Sequence, residues 1–161
     1  MIERIPAGID DPRITELARE LVSEMVAIYT GIHDAPQPLD PRIAWVLLSN
    51  DDGTPVACGA LQPFDKSVPG SPLTIGEVKR VYVRPHHRGS GLGHVVMDEL
   101  EAWAPDLGYT ILRLETGTRQ PEALALYRSR GWQPIDKYGP YTHEPTSVCF
   151  ELNLGPNPDV S

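Results

Sequence analysis

Three glycines at alternate positions, Gly89, Gly91 and Gly93, follow Arg88 in the segment RGSGLG, and an apolar stripe with helical spacing begins there. The N-terminus of a helix leaves about four backbone N–H groups unpaired and carries roughly half a positive charge. Glycines keep side chains away from those N–H groups, and a guanidinium matches the geometry of phosphate oxygens. The pattern predicts a phosphate site, although a plain glycine-rich turn would have the same sequence.

The overall charge of the chain disfavours nucleic acid, whereas the local charge around this turn favours a small anion. Lys and Arg number 14 against 22 Asp and Glu, and the formal net charge of −8 repels a polyphosphate backbone. Nucleic acid is therefore not expected as a partner. The segment from Glu77 to His94 departs from this average because it has one acid and four basic residues, Lys79, Arg80, Arg84 and Arg88.

Two common phosphate motifs are excluded here. A dinucleotide fingerprint needs a third glycine three positions after Gly91, and that position holds His94. A P-loop needs Gly-Lys-Ser/Thr at the start of the helix, whereas Gly93 is followed by His94 and Val95. The phosphate ligand must therefore be of another kind.

Residues 83–93 resemble motif A of the GNAT superfamily of acetyl-CoA-dependent acetyltransferases, whose core pattern is Arg/Gln-x-x-Gly-x-Gly/Ala. Arg88, Gly91 and Gly93 match that pattern. Residues 114–117 and 121–132 are similar to motif B, in which a helix has a tyrosine four residues before a glycine–aromatic pair. Those places are filled by Tyr127, Gly131 and Trp132. The resemblance implies an acyltransferase with acetyl-CoA as cosubstrate.

The resemblance also implies an α/β (α+β) fold with a mixed central sheet of about six to seven strands, a splayed strand pair and flanking helices. We expect one domain over residues 1–154 and a flexible tail over 155–161. Apolar periodicity and turn residues give the same order of elements. They predict helices at 12–29, from 92 to Pro105, and from 121 to 131, and strands at 45–48, 56–61, 74–83, 111–114, 132–135 and 147–152.

By resemblance, the pyrophosphate of acetyl-CoA would bind the N–H groups of residues 89–94. The pantetheine arm would lie between the strands that end near Val83 and Glu115. Many family members have an asparagine just before the motif B helix, where this chain has Arg119 and Gln120. The expected cofactor contacts are Val81, Tyr82, Val83, Arg88, Gly89, Ser90, Gly91, Leu92, Gly93, His94, Glu115, Thr116, Gln120, Ala123 and Tyr127.

Acetyl transfer to an amine needs a base, because the acceptor arrives as an ammonium group that must first lose a proton. Glu77 lies where many family members have a glutamate that acts directly or through a water. The alternative is a solvent-facing carboxylate paired with Lys79. The CoA thiolate then needs a proton, for which Tyr127 is the candidate acid. Its alternative is a place in the apolar core with Ala123 and Leu124.

The acceptor is expected to be a primary amine of a small molecule or peptide, bound by the segments 31–41 and 139–145. His33, Asp34, Tyr141 and Glu144 are the candidate contacts. No metal is expected, because the adjacent His86 and His87 cannot easily face one ion and no third ligand has suitable spacing. A non-catalytic CoA-binding module and a transferase of larger acyl groups remain alternatives.

A cytoplasmic protein is expected from the N-terminus, which has charges where a signal peptide needs an apolar run, and from the lack of a long apolar stretch. Cys58 and Cys149 lie in apolar, strand-like runs without the spacing of a zinc or redox motif, so buried reduced thiols are predicted. A homodimer could form through the strand at 147–152 if it lies at a sheet edge.

Overall fold

A computed structural model describes residues 1–29, 37–64 and 74–156. The predicted loop at 67–72, most of the predicted segment 31–41 and the end of the predicted tail lie outside these residues. The described helices are α1 (Pro12–Ile28), α2 (Leu92–Trp103) and α3 (Pro121–Ser129). The strands are β1 (Glu3–Ile5), β2 (Ala44–Ser49), β3 (Pro55–Pro63), β4 (Ile75–Val83), β5 (Ile111–Gly117), β6 (Gln133–Ile135) and β7 (Ser147–Asn153).

The strands form one mixed sheet in the order β1-β2-β3-β4-β5-β7-β6. β4 and β5 run parallel, whereas β1 with β2, β2 with β3, β5 with β7 and β6 with β7 are antiparallel. The predicted α/β fold with a mixed sheet and flanking helices is confirmed. The short β1 was not predicted, because three residues without clear alternation give no periodic signal.

β7 is an inner strand of this sheet, paired with β5 on one side and β6 on the other. Its backbone hydrogen-bonding groups are therefore used within the chain. The condition set for pairing of this strand across a dimer, a place at a sheet edge, is therefore not met, and a homodimer stays a prediction. The edges are β1 and β6.

α1 begins as its sequence predicts. The Asp11 carboxylate accepts a hydrogen bond from the Arg13 backbone N–H at 2.9 Å, and Pro12 occupies the first helical position. Ile14 and Leu17 on one face of the helix are buried. α2 ends at Trp103, and Pro105 lies in the 3₁₀ turn Ala104–Leu107, which confirms the predicted interruption of that helix.

The chain divides into two compact units, residues 1–62 with 79–100 and residues 63–78 with 101–161, so the boundary cuts β4 between Val78 and Lys79. In the first unit, α1, strands β2, β3 and β4 and the residue just before β2 supply one core cluster, which consists of Ile14, Leu17, Ile43, Trp45, Leu47, Cys58, Ala60 and Tyr82. The second has a core cluster of Phe64, Tyr138 and Cys149. The single domain over 1–154 stays a prediction.

Both cysteines are buried and free, as predicted. Burial raises the pKa of the Cys58 thiol to about 12. None of the helices within the described part of the chain is long and apolar enough to cross a membrane.

Candidate active site

β4 leads from a buried carboxylate to the glycine turn. Its ladder with β5 covers Ile75–Glu77 against Ile111–Arg113, whereas β4 extends to Val83 and β5 to Gly117. Arg80, beyond this ladder, has a φ of 56°, a conformation that costs an L residue about 1–2 kcal/mol. β4 is therefore irregular between Glu77 and the turn.

The glycine turn is open at the positions where the sequence predicts a phosphate site. Gly89 and Gly91 have φ values of +82° and +85°, and a Cβ added to either would meet nothing within 4 Å. The N–H of Val95 donates to the Gly91 carbonyl at 3.2 Å, so Gly91 stands at the N-cap of α2. The N–H groups of Leu92, Gly93 and His94 precede this first helical hydrogen bond.

The arginines beside the turn are paired with glutamates of α1. Arg88 Nη2 lies 2.7 Å from Glu24 Oε2, and its Nε donates to the Val83 carbonyl at 2.8 Å. Arg84 pairs with Glu16 at 2.9 Å and Glu20 at 3.0 Å. The local positive charge expected from the linear sequence is thus offset by an acidic helix face distant in sequence.

Ser90 in the turn and Tyr82 on β4 both make contacts in this part of the chain. The hydroxyl of Ser90 donates to the His87 carbonyl at 2.9 Å, within the turn before α2. Tyr82 is buried with its ring centroid 5.6 Å from the Arg88 guanidinium carbon, and burial raises the pKa of its phenol. The contacts of these two side chains with a cofactor stay predictions.

Glu77 is buried, with only 8% of its surface exposed. Its Oε2 accepts a hydrogen bond from the hydroxyl of Tyr138 at 2.9 Å. The alternative of a solvent-facing carboxylate at this position is therefore wrong. A buried, hydrogen-bonded carboxylate on a strand is a suitable group for accepting a proton.

Tyr138 is a residue that sequence reasoning missed, because it lies in a stretch of turn residues between β6 and β7. Its ring packs edge-on against Phe64 at 4.9 Å and Tyr141 at 5.7 Å. Burial, and then the charge of Glu77, hold the pKa of the Tyr138 phenol far above its ordinary range. The group is therefore a hydrogen-bond donor at every working pH.

Tyr127 lies in the core of the second unit, with its ring centroid 6.0 Å from that of Trp132 and 6.1 Å from that of Phe150. Burial first, and then the charge of Glu115, raise the pKa of its phenol. The core placement that periodicity alone favoured is therefore confirmed. A protonated phenol is also what an acid needs, so the two interpretations are compatible.

The expected cofactor contacts on the side of β5 and α3 are also in the second unit. Glu115 accepts a hydrogen bond from the Ser147 hydroxyl at 2.8 Å, and Thr116 is buried. Gln120 precedes α3 without a side-chain cap hydrogen bond, and Ala123 is half-buried in the first turn of that helix. These contacts stay predictions.

The candidate acceptor residues differ in their surroundings. The Glu144 carboxylate accepts hydrogen bonds from the N–H of Thr146 at 3.1 Å and from its hydroxyl at 2.9 Å, which lowers the pKa of Glu144. Tyr141 is half-buried against Tyr138. His33 and Asp34 lie outside the described residues. Within the described ranges, no three His, Cys, Asp or Glu side chains are grouped as metal ligands would be.

A family model described as the acetyltransferase (GNAT) family matches residues 14–132. The chain belongs to the GNAT family. This GNAT acyltransferase is 35% identical to the IAA acetyltransferase of Azospirillum brasilense over 141 residues, 88% of each chain. It is 36% identical over 158 residues to an uncharacterized N-acetyltransferase of Schizosaccharomyces pombe, with 94% of this chain and 90% of the relative covered.

Solved structures match this GNAT acyltransferase over nearly its whole length. One from Klebsiella pneumoniae, described as an acyl-CoA N-acyltransferase, has a TM-score of 0.77 and 31% identity and covers 96% of this chain and 97% of that chain. A GNAT acetyltransferase from Elizabethkingia anophelis with acetyl-CoA bound has a TM-score of 0.63 and 17% identity over 96% and 97% of the two chains. The latter similarity supports the fold alone.

Proposed function

We propose that this GNAT protein is an N-acetyltransferase that moves the acetyl group of acetyl-CoA to a primary amine of a small molecule or peptide. The amine would attack the thioester directly, in a complex that holds both substrates. The observation that carries the proposal is the open glycine turn at the N-terminus of α2 in a chain of this family. The match of Arg88, Gly91 and Gly93 to motif A of the acetyl-CoA-dependent family supports the choice of cosubstrate.

The cosubstrate would bind through backbone groups. The N–H groups of Leu92, Gly93 and His94 would donate to the diphosphate, and the empty space beside Gly89 and Gly91 would admit its oxygens. Arg88 would keep the turn in place through Val83 and Glu24 while adding a partly offset positive charge. Acetyl-CoA supplies the activated acyl group when bound.

Glu77 would take the proton that the ammonium group loses, directly or through a water. The buried carboxylate has a fixed position, because the Tyr138 hydroxyl holds one of its oxygens. As the C–N bond forms, the C–S bond of the thioester breaks and the departing sulfur takes up a proton, while the nitrogen loses its second proton, which restores the group that protonated the sulfur. Tyr127 would donate that proton, since its raised pKa keeps the phenol protonated until the thiolate appears.

The acceptor would be bound in part by the connection between β6 and β7, where Tyr141 is half-buried. The net charge of −8 modestly favours cationic acceptors over nucleic acid. His33, Asp34 and Glu144 stay in the proposal as polar groups near the acceptor. We place the protein in the cytoplasm because its two buried, free thiols suit a reducing compartment.

A thiol-release assay over a panel of primary amines tests the proposal, because free CoA is formed whichever amine is acetylated. We expect release that depends on both acetyl-CoA and one class of amine, with intersecting initial-velocity patterns typical of a two-substrate complex. Acetyl-CoA binding in calorimetry without release for any amine would instead indicate a non-catalytic CoA-binding module. Tighter binding of propionyl-CoA or succinyl-CoA in competition would indicate a larger acyl group.

A further inference from the structure

The second compact unit contains a buried pair of oxygen groups, the Glu77 carboxylate and the Tyr138 hydroxyl, 2.9 Å apart. The relative exposures of the two residues are 8% each. A buried carboxylate loses hydration, so a donor that replaces water stabilises its charged form. The Tyr138 hydroxyl is such a donor and cannot act as a base near neutral pH, because burial and Glu77 raise its pKa.

Contacts of the Tyr138 ring and of the surrounding backbone hold Tyr138 in place. Its ring lies between Phe64 and Tyr141, both in edge-on contact with it. The N–H of Tyr141 donates to the Tyr138 carbonyl at 3.0 Å, and Lys137 Nζ donates to the Glu144 carbonyl at 2.6 Å. The connection between β6 and β7 is thus anchored at the residue that contacts Glu77.

We propose that Tyr138 is a positioning residue for Glu77, whose hydroxyl holds the carboxylate in one orientation before the acceptor arrives. This inference rests on the proposed role of Glu77 as the base. Tyr138 immediately precedes the turn Gly139–Tyr141, so the segment 139–145 that is expected to bind the acceptor begins at the residue after the one that contacts Glu77.

Other titratable and charged groups near Glu77 come from several elements. Arg113 on β5 is its register partner, and its guanidinium is paired with Glu151 at 2.8 Å. Cys149 on β7 stays neutral at working pH, because burial raises the pKa of its thiol. Lys79 follows on β4, and Tyr141 and Lys137 lie in the connection that contains Tyr138. The Tyr138→Phe change leaves all of these groups in place.

Tyr138→Phe removes the hydroxyl and keeps the ring between its aromatic neighbours. In acetyl transfer to an amine that the wild type accepts, we expect kcat to fall about tenfold, because the carboxylate loses the donor that holds it in one orientation. The KM for acetyl-CoA and the Tm should stay unchanged. A purely structural role would instead lower the Tm and raise that KM together with the loss of kcat.

Two comparisons isolate the contact. Tyr109→Phe removes a hydroxyl from another buried tyrosine of the same unit, whose ring packs against Gly76, and should leave kcat unchanged. In a Glu77→Gln background, adding Tyr138→Phe should have no further effect on kcat, because a residue that acts through Glu77 has nothing left to act on. An unchanged kcat in Tyr138→Phe, or the same tenfold loss in the Glu77→Gln background, overturns the inference.

A measurement without turnover separates this inference from the proposed function. In NMR of the free protein with isotope-labelled glutamate at one fixed neutral pH, the chemical shift of the Glu77 carboxyl carbon should differ between Tyr138→Phe and the wild type, because the variant lacks the hydrogen-bond donor. An unchanged chemical shift would reject the role of Tyr138, whether or not an amine is acetylated. A changed chemical shift without acetylation of any amine would reject only the proposed function.

Discussion

Replacement of Gly91 by alanine separates the conformational role of this glycine from its role in binding. At a φ of +85° an L residue loses about 1–2 kcal/mol, and an alanine recovers a part of this by restricting the unfolded chain. A net loss of about 1 kcal/mol corresponds to a fall in Tm of about 2–4 °C for a chain of this size. The added Cβ meets no protein atom within 4 Å, so the change requires no repacking.

The same Cβ projects into the space proposed for the diphosphate. We therefore expect the Kd for acetyl-CoA to rise tenfold or more, about 1.4 kcal/mol, in isothermal titration calorimetry. Gly53→Ala is the matched control, because Gly53 has a φ of +81°, also has open space beside it and lies in the hairpin turn between β2 and β3. It should lose similar stability without losing affinity. Equal Kd values for Gly91→Ala and the wild type would refute the proposed placement of the diphosphate.

The remaining predictions concern single side chains. Glu77→Gln should reduce kcat most at low pH, where few amines are uncharged; an unaltered pH–rate profile would remove Glu77 from the mechanism. Tyr127→Phe should keep its Tm within a few degrees and lower turnover, and full turnover would exclude the acid role. Arg84→Ala removes the partner of two glutamates and should lower the free energy of unfolding in urea by about 1–3 kcal/mol. Hydrogen bonds from Arg13 lower the pKa of Asp11 to about 2, so the Asp11 carboxylate should stabilise the fold fully above about pH 4 and lose that effect as the pH falls toward 2. A difference in the free energy of unfolding between Asp11→Ala and the wild type that stays constant across that interval would contradict this.

Periodic and capped elements could be predicted from the sequence. The stripe on α1 with Asp11 before it, the break at Pro105 and the order of the strands from β2 onward follow from local signals and match the structure. The two GNAT motifs indicated the family before any geometry was known. Local sequence is sufficient here because each feature depends on residues within one or two turns of the chain.

Contacts between distant segments could not be predicted in this way. The glutamates of α1 that pair with Arg84 and Arg88 are far from them in sequence, so a count of charges along the chain gave the turn too much positive charge. The inner position of β7 depends on the short β6, which has no alternating pattern of its own.

The sequence predicted the glycine turn of the candidate site but not the contact of Glu77 with Tyr138, because only the turn depends on local residues. The glycines at 89 and 91 follow from conformational rules, and their positive φ values agree with that logic. Tyr138 could have been suspected only as an aromatic residue just before a Gly-Pro turn, because its contact with Glu77 joins residues separated by 61 positions. Burial of Glu77 was likewise not evident from the strand pattern, in which it stands among charged residues.

A crystal structure of this protein in complex with CoA would show where the diphosphate lies. We predict electron density for both phosphates within hydrogen-bond distance of the N–H groups of residues 92–94, with Gly89 and Gly91 facing them. Well-defined CoA with its diphosphate elsewhere on the protein would contradict the proposed site and, with it, the roles assigned to Glu77 and Tyr127.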